Sequence, residues 1–223
     1  MQGNKIFSPK NLPKGPWEIL LKHAFAIMDD LEKHGGITNP FWTFGGGTVL
    51  MLRHAHRQSK DIDIFVPDPQ YLGFVTPRLS DVAASFTEDY VEAAGFVKLI
   101  RSEGEIDFVA APNLTDKPYE TWKLLGRVVK VETSAEIVAK KLWHRGDIAT
   151  ARDLFDLSLV IEKEPESLKT ASVHLKRHSK EFVKQLKDRA TLLQSQFEDI
   201  DALNYSPSYS YASKQAETFL QHL

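Results

Sequence analysis

The stretch Phe44–Val66, FGGGTVLMLRHAHRQSKDIDIFV, constrains this chain more than any other. Asp61 and Asp63 flank Ile62 and lead into Ile64 and Phe65, an alternation that predicts a half-buried strand. Strand residues two apart share a face, with Cα atoms roughly 6.5–7 Å apart, so both carboxylates project one way and the isoleucines the other. Two carboxylates on a rigid strand suit Mg²⁺, which leaves its other positions to water and substrate phosphates. Upstream, Gly45, Gly46 and Gly47 allow a tight turn and close approach to a ligand. Thr48 is placed to cap a helix over Val49–His54, whose first N–H groups make an anion site. A phosphate seat next to a metal seat is what transfer from a nucleoside triphosphate needs. Alone, Asp-x-Asp is usually a solvated pair and Gly-Gly-Gly-Thr a loop; their order and spacing favour the metal–phosphate combination.

Composition bounds the rest. The 223 residues suffice for one sizeable core or two small lobes. A formal charge of −2 excludes a global polycation, so a nucleic-acid partner would need a local basic patch. The absence of cysteine excludes disulfides, thiolate zinc sites and thiol catalysis, and fits a reducing, cytoplasmic setting. The opening MQGNKIFSPKNLPKG has no apolar h-region, and no run reaches membrane-spanning length.

The glycine–helix–aspartate text resembles the signature of polymerase β-like nucleotidyltransferases, and GGGTVLMLRHAHRQSKDIDIF is similar to the abortive-infection AbiEii branch associated with type IV toxin–antitoxin systems. The resemblance implies an α+β fold, with a small mixed sheet carrying helices over 1–132 and an α-helical lobe over 133–223 that closes on a nucleotide. It also implies a third carboxylate from a later strand, completing the metal site or activating the acceptor hydroxyl. Asp107 is the matching position and Glu105, on the same strand face, its rival.

Along the chain, residues 1–15 read as an irregular lead-in. Trp17, Leu20, Leu21, Ala24, Phe25, Met28 and Leu31 then predict an amphipathic helix ended by Gly35–Gly36. Phe41–Phe44 reads as a short strand and Tyr71–Phe86 as helix, its first half weakened by Gly73 and Pro77. Phe96–Ile100 and Glu105–Ala111 form a hairpin through Ser102–Gly104. Tyr119–Leu125 reads as a helical turn and Arg127–Val131 as a strand.

From Thr133 the pattern is helical. Thr133 and Glu136 spell a capping box, and Gly146 stops that helix. KKLWHRGDIATARDLFDL resembles the family's lysine motif followed by Arg-Asp-x-x-Asp. The resemblance therefore adds Lys140, Lys141, Arg145 and Arg152 as phosphate-binding candidates, and Lys141 and Asp156 as catalytic ones, with Asp153 between them. Lys141 shares a helix face with Arg145 and is the better phosphate candidate of the two lysines; Asp156 is placed to hold that edge. Ordinary surface pairing is the plainer account, Arg152 and Asp156 being i, i+4 neighbours. Over 165–200, Leu175, Phe182, Leu186 and Leu193 form a buried stripe beside Lys176, Lys180, Lys184 and Lys187. Such lysines are usually solvated, with contact to a nucleic acid as the sharper alternative. Asn204–Ser213 reads as a loop before a short terminal helix. His54 and His56 lack the i, i+4 spacing of a helical zinc pair, while Arg53, Arg57 and Lys60 crowd the loop before the aspartates and are placed to steer phosphate.

These features predict a Mg²⁺- or Mn²⁺-dependent nucleotidyltransferase. Asp61, Asp63 and Asp107 would hold the metal, and Gly46, Gly47 and Thr48 the phosphates. The acceptor would be an RNA, a tRNA or a protein, and the resemblance adds a cognate antitoxin as partner. The alternatives are a non-catalytic nucleotide-binding module on the same fold and a metal-dependent phosphohydrolase or nuclease.

Overall fold

The computed structural model describes residues 6–223, so the first five residues of the lead-in lie outside it. The chain divides into two compact units. The first takes the chain to Leu52 and adds Ser59–Asn113 and Tyr119–Glu132; the second comprises Arg53–Gln58, Leu114–Pro118 and Thr133–Leu223.

The first unit opens on α1 (Trp17–His34), in which Trp17, Leu20, Leu21, Ala24, Phe25, Met28 and Leu31 recur at helical spacing and are buried, while Ile19 is exposed. The Trp17 indole donates to the Pro13 carbonyl at 2.8 Å, fastening the lead-in to the helix start. The chain continues through β1 (Thr43–Gly45), α2 (Gly46–His54), β2 (Ile62–Val66), α3 (Leu72–Val75) and α4 (Asp81–Phe86). Five strands follow: β3 (Tyr90–Ala93), β4 (Phe96–Arg101), β5 (Gly104–Ala110), β6 (Tyr119–Leu124) and β7 (Arg127–Glu132). Among the described residues the strands form one seven-stranded mixed sheet in the order β3-β4-β5-β2-β1-β7-β6. The β2–β5 and β1–β7 pairs are parallel and the rest antiparallel. Ile62, Ile64, Ile106 and Phe108 are fully buried on the face that meets α1 and α3, which leaves the alternate residues of β2 and β5 on the other face.

Two local expectations are corrected. Tyr119–Leu124 is strand, not a helical turn: it pairs with β7 through a two-residue loop. Leu125 and Gly126 both take positive φ there (49° and 86°), as a type I′ hairpin turn requires. The expected helix over Tyr71–Phe86 is two short helices separated by Thr76–Ser80, because Pro77 disfavours the helical conformation before it. Ser80 restarts the helix by accepting from the Ala83 N–H at 3.2 Å. The sequence gives no sign of β3, an exposed edge strand with no apolar alternation to mark it.

The second unit is helical: α5 (Ser134–Arg145), α6 (Ala151–Lys163), α7 (Pro165–Thr170), α8 (Ser172–Leu175), α9 (Ser179–Asp188), α10 (Ala190–Glu198) and α11 (Tyr209–Gln221). Thr133 caps α5, its Oγ1 accepting from the Glu136 N–H at 3.3 Å. The Glu136 carboxylate accepts from the Leu114 and Thr115 N–H groups at 2.9 and 2.8 Å, pinning that segment to α5. Leu175, Phe182, Leu186 and Leu193 are buried, and the lysines beside them are exposed. The terminal helix starts inside the stretch expected to be loop, where Ser208 caps α11 by accepting from the Tyr211 N–H at 3.2 Å. Among the described residues, no helix is long and apolar enough to cross a membrane.

Candidate active site

In the first unit the parallel pairing of β2 with β5 sets Asp63 opposite Asp107 and Ile62 opposite Ile106. Asp63 and Asp107 therefore stand side by side on the face away from α1. Asp61 lies one residue before β2, and its Oδ1 accepts from the Glu105 N–H at 3.1 Å beside Gly104. Of the three sequence-predicted carboxylates, Asp63 and Asp107 thus stand together on adjacent strands and Asp61 lies at the entry of β2, each half-buried.

The antiparallel hairpin adds a cation that the sequence analysis passed over. Lys98 on β4 is the direct cross-strand partner of Asp107. Its Nζ donates to Asp107 Oδ2 at 2.9 Å and to the Glu105 carboxylate. Burial pulls the Lys98 ammonium down, but its bonds to Glu105 and Asp107 outweigh this and raise it above the ordinary lysine value. Burial also raises Asp107 above the usual carboxylate range, against the pull of Lys98. Asp107 Oδ1 is buried with no hydrogen-bond partner. The signal for Lys98 was in the sequence, because a two-residue turn at Ser102–Glu103 pairs Arg101 with Gly104 and hence Lys98 with Asp107.

The glycines are needed here for contacts inside the protein. Gly46 has φ +73°, and a Cβ built on it would lie 1.9 Å from Asp63 Oδ2. A Cβ on Gly45 would lie 2.2 Å from Glu132 Oε2, a buried carboxylate that also accepts from the Thr43 hydroxyl at 2.7 Å. The Asp63 carboxylate therefore rests against the first residue of α2, where the helix presents its positive end. Gly47 is half-buried. Thr48 is a correction: α2 begins at Gly46, so Thr48 lies within its first turn and is not the N-cap. Its buried hydroxyl donates to the Asp61 carbonyl at 2.5 Å and lies 2.9 Å from Ser59 Oγ, tying α2 to the entry of β2.

The charges predicted for the helical half form their own cluster in the second unit. Lys141 Nζ lies 2.9 Å from Asp153 Oδ1 and 2.8 Å from Asp156 Oδ2. Arg145 reaches Asp153 at 2.7 Å. Arg57 grips Asp156 with Nε at 2.8 Å and one terminal nitrogen at 2.9 Å, and His56 Nε2 lies 2.8 Å from the same carboxylate. Burial alone would raise both aspartates, but the cations outweigh it. Arg57 and Lys141 hold Asp156 well below the carboxylate range, and Lys141 and Arg145 hold Asp153 below it. Burial lowers His56, so it is neutral with its proton on Nε2, facing Asp156. Asp156 thus holds Lys141 as expected, while Arg57, expected to steer phosphate, is committed to Asp156. Lys140 is almost fully buried, 3.5 Å from Glu136, and Arg152 is exposed. A phosphate role for Lys141 requires it to exchange one of its two carboxylates.

The carboxylate face can be tested for fit to a divalent cation. Among the described residues no three histidine or acidic side chains converge on a point, so these residues supply no complete cage. What they supply is a set of hard oxygen donors, one of them the orphaned Asp107 Oδ1, beside a carboxylate seated against a helix start. A partial donor set suits Mg²⁺, which is held by one or two carboxylates together with substrate phosphates.

A family model described as nucleotidyl transferase AbiEii toxin, type IV toxin–antitoxin system, matches residues 36–211. Among solved structures, a nucleotidyltransferase candidate from Helicobacter pylori aligns with a TM-score of 0.54 at 16% identity, covering 94% of this chain and 95% of its own. JHP933, also from Helicobacter pylori, aligns with a TM-score of 0.52 at 17% identity, covering 91% and 89%. At these identities the two structures share the fold of this chain. Comparison with curated proteins gave no match.

Proposed function

The chain belongs to the AbiEii family of nucleotidyl transferase toxins of type IV toxin–antitoxin systems, and on that premise we propose that it moves a nucleoside monophosphate from a nucleoside triphosphate to an acceptor hydroxyl. The observation that carries the reading is the in-register pair Asp63–Asp107, with Asp61 beside it and the start of α2 against Asp63. A divalent ion, Mg²⁺ or Mn²⁺, would take one or two carboxylates from among Asp61, Asp63 and Asp107 and leave its other positions to phosphate oxygens and water. When bound, that ion supplies positive charge against the triphosphate oxygens.

The chain's own part is positioning. The rigid β2–β5 ladder fixes the spacing of the carboxylates, and Gly46 lets the α2 backbone lie against Asp63 where a side chain would displace it. The acceptor oxygen bonds to the α-phosphorus as the bridging oxygen leaves with pyrophosphate. The hydroxyl proton passes to a carboxylate of this face or to water. The acceptor class we propose is an RNA, a tRNA or a protein, and the family context adds a cognate antitoxin as partner.

The test is incubation of the protein with each α-labelled nucleoside triphosphate, total RNA and total protein, with Mg²⁺ or Mn²⁺. Pyrophosphate release with label retained on one macromolecule class supports transfer and identifies the acceptor. Inorganic phosphate without label transfer would mean a phosphohydrolase. Nucleotide binding with neither product would mean a binding module.

A further inference from the structure

The row of side chains across the sheet does not end at the two aspartates. From Gly45 on β1 it runs through Asp63 and Asp107 to Lys98 on β4, each residue the direct cross-strand partner of the next. Lys98 is the cation of that row. Its ammonium takes Asp107 Oδ2 at 2.9 Å and also engages Glu105, leaving the buried Asp107 Oδ1 as the oxygen without a partner.

We propose that Lys98 is the resident counter-cation of the metal site: it restricts Asp107 to one available oxygen and limits the carboxylate face to a single divalent ion before nucleotide arrives. The proposal rests on the metal reading of this face. Its physical basis is charge and denticity. Asp61, Asp63, Glu105 and Asp107 carry four negative charges when ionised, and such a group in a partly desolvated place attracts cations strongly. One fixed ammonium removes a unit of that charge and occupies a carboxylate edge on which a bidentate or second ion would sit. The ammonium is a compact point charge on a flexible stem with three donors, enough to engage both carboxylates. The side chain is held by two carboxylates and is only 28% exposed, so its position is built into the hairpin.

Lys98 is thus a positioning residue, and the decisive measurement reads metal binding without turnover. Mn²⁺ would be titrated into the full chain without nucleotide, with free Mn²⁺ followed by electron paramagnetic resonance. The proteins compared are wild type, Lys98→Met, Lys98→Gln and Lys98→Arg. The expected result is one ion per wild-type chain. Lys98→Met and Lys98→Gln should bind two ions, or the first at least tenfold more tightly, while Lys98→Arg stays near wild type. Lys98→Met keeps the apolar stem and Lys98→Gln keeps a donor, so thermal unfolding identifies at least one charge-free variant that is folded. The same isotherm in wild type and the folded charge-free variant would overturn the role of Lys98 alone. No Mn²⁺ bound by any of the four would overturn the metal reading itself.

Discussion

Asp63 and Asp107 are cross-strand neighbours on the parallel strands β2 and β5, and the Asp63 carboxylate rests against Gly46 at the start of α2. That relationship joins the two halves of the sequence signature into one surface. It predicts that Asp61→Asn and Asp63→Asn each lower metal-dependent transfer by orders of magnitude with little change in folding, because both side chains are half-buried and the substitution keeps their shape. Pyrophosphate release beside a thermal unfolding curve checks this; full activity in either variant would remove these residues from the site.

Asp107 and Glu105 are separated by the same assay. Asp107 is the aligned partner of Asp63 and has the orphaned oxygen, whereas Glu105 lies two residues earlier on β5, before the register with β2 begins, and shares Lys98. Asp107→Ala is expected to reduce transfer at least a hundredfold and Glu105→Ala less than tenfold. The opposite ranking would reassign the third carboxylate.

Glycine requirements give a prediction independent of the acceptor. Gly46→Ala places a Cβ in the space of the Asp63 carboxylate and strains a backbone at φ +73°. Both activity and melting temperature should fall, by about 1–3 kcal/mol of stability. Gly73→Ala is the control: it meets nothing within 4 Å and lies in α3, so stability should be unchanged or slightly raised. Equal melting temperatures for the Gly46→Ala variant and wild type would mean that the turn relaxes.

The second unit should depend on its buried ion cluster for stability. Asp156→Ala removes the one carboxylate that Arg57, His56 and Lys141 share, leaving Lys141 with Asp153, and is expected to cost about 3–5 kcal/mol, the usual loss when one partner of a buried pair is removed. Lys141→Ala leaves Asp153 with Arg145 and Asp156 with Arg57, so its cost should be smaller. Urea unfolding measures both. Calorimetric titration of nucleotide into folded Lys141→Ala then separates a structural from a phosphate-binding lysine: unchanged affinity means the former.

The same cluster fixes the sign of the acid response. His56 is lowered in the fold, so the unfolded chain takes up its proton first, and stability falls as the pH drops below the ordinary histidine value of 6.5. Asp153 and Asp156 are also lowered; their contribution is complete above the ordinary 3.8 and is lost as the pH falls through their folded values. Melting temperature should therefore decline in two stages, near pH 6 and below pH 4 on the order of these values. Burial also lowers His23 and His144, so His56→Gln should reduce the first stage without abolishing it and leave the second unchanged; a first stage of the same size in His56→Gln would contradict the assignment.

What the sequence determined by itself was local and periodic. The alternation Asp61–Phe65 dictates which side chains share a face, and the glycines before it restrict what can precede that strand. Helical spacing marks α1, and the turn at Ser102–Glu103 already contains the Lys98–Asp107 pairing for a reader who counts the register. Tertiary structure decided the partners that sequence separation hides. That β2 lies parallel to β5, and so sets Asp63 beside Asp107, depends on the order of seven strands. That Arg57 turns from phosphate steering to gripping Asp156, 99 residues away, follows from packing within the helical unit, where a buried carboxylate must be paired. Thr48 looked like a cap because its neighbours spell one. Only the position of the Asp61 carbonyl, delivered by the strand that follows, shows where its hydroxyl goes. Local chemistry lists the bonds a side chain can make, and the fold selects among them by bringing one partner within 3 Å and leaving the others out of reach.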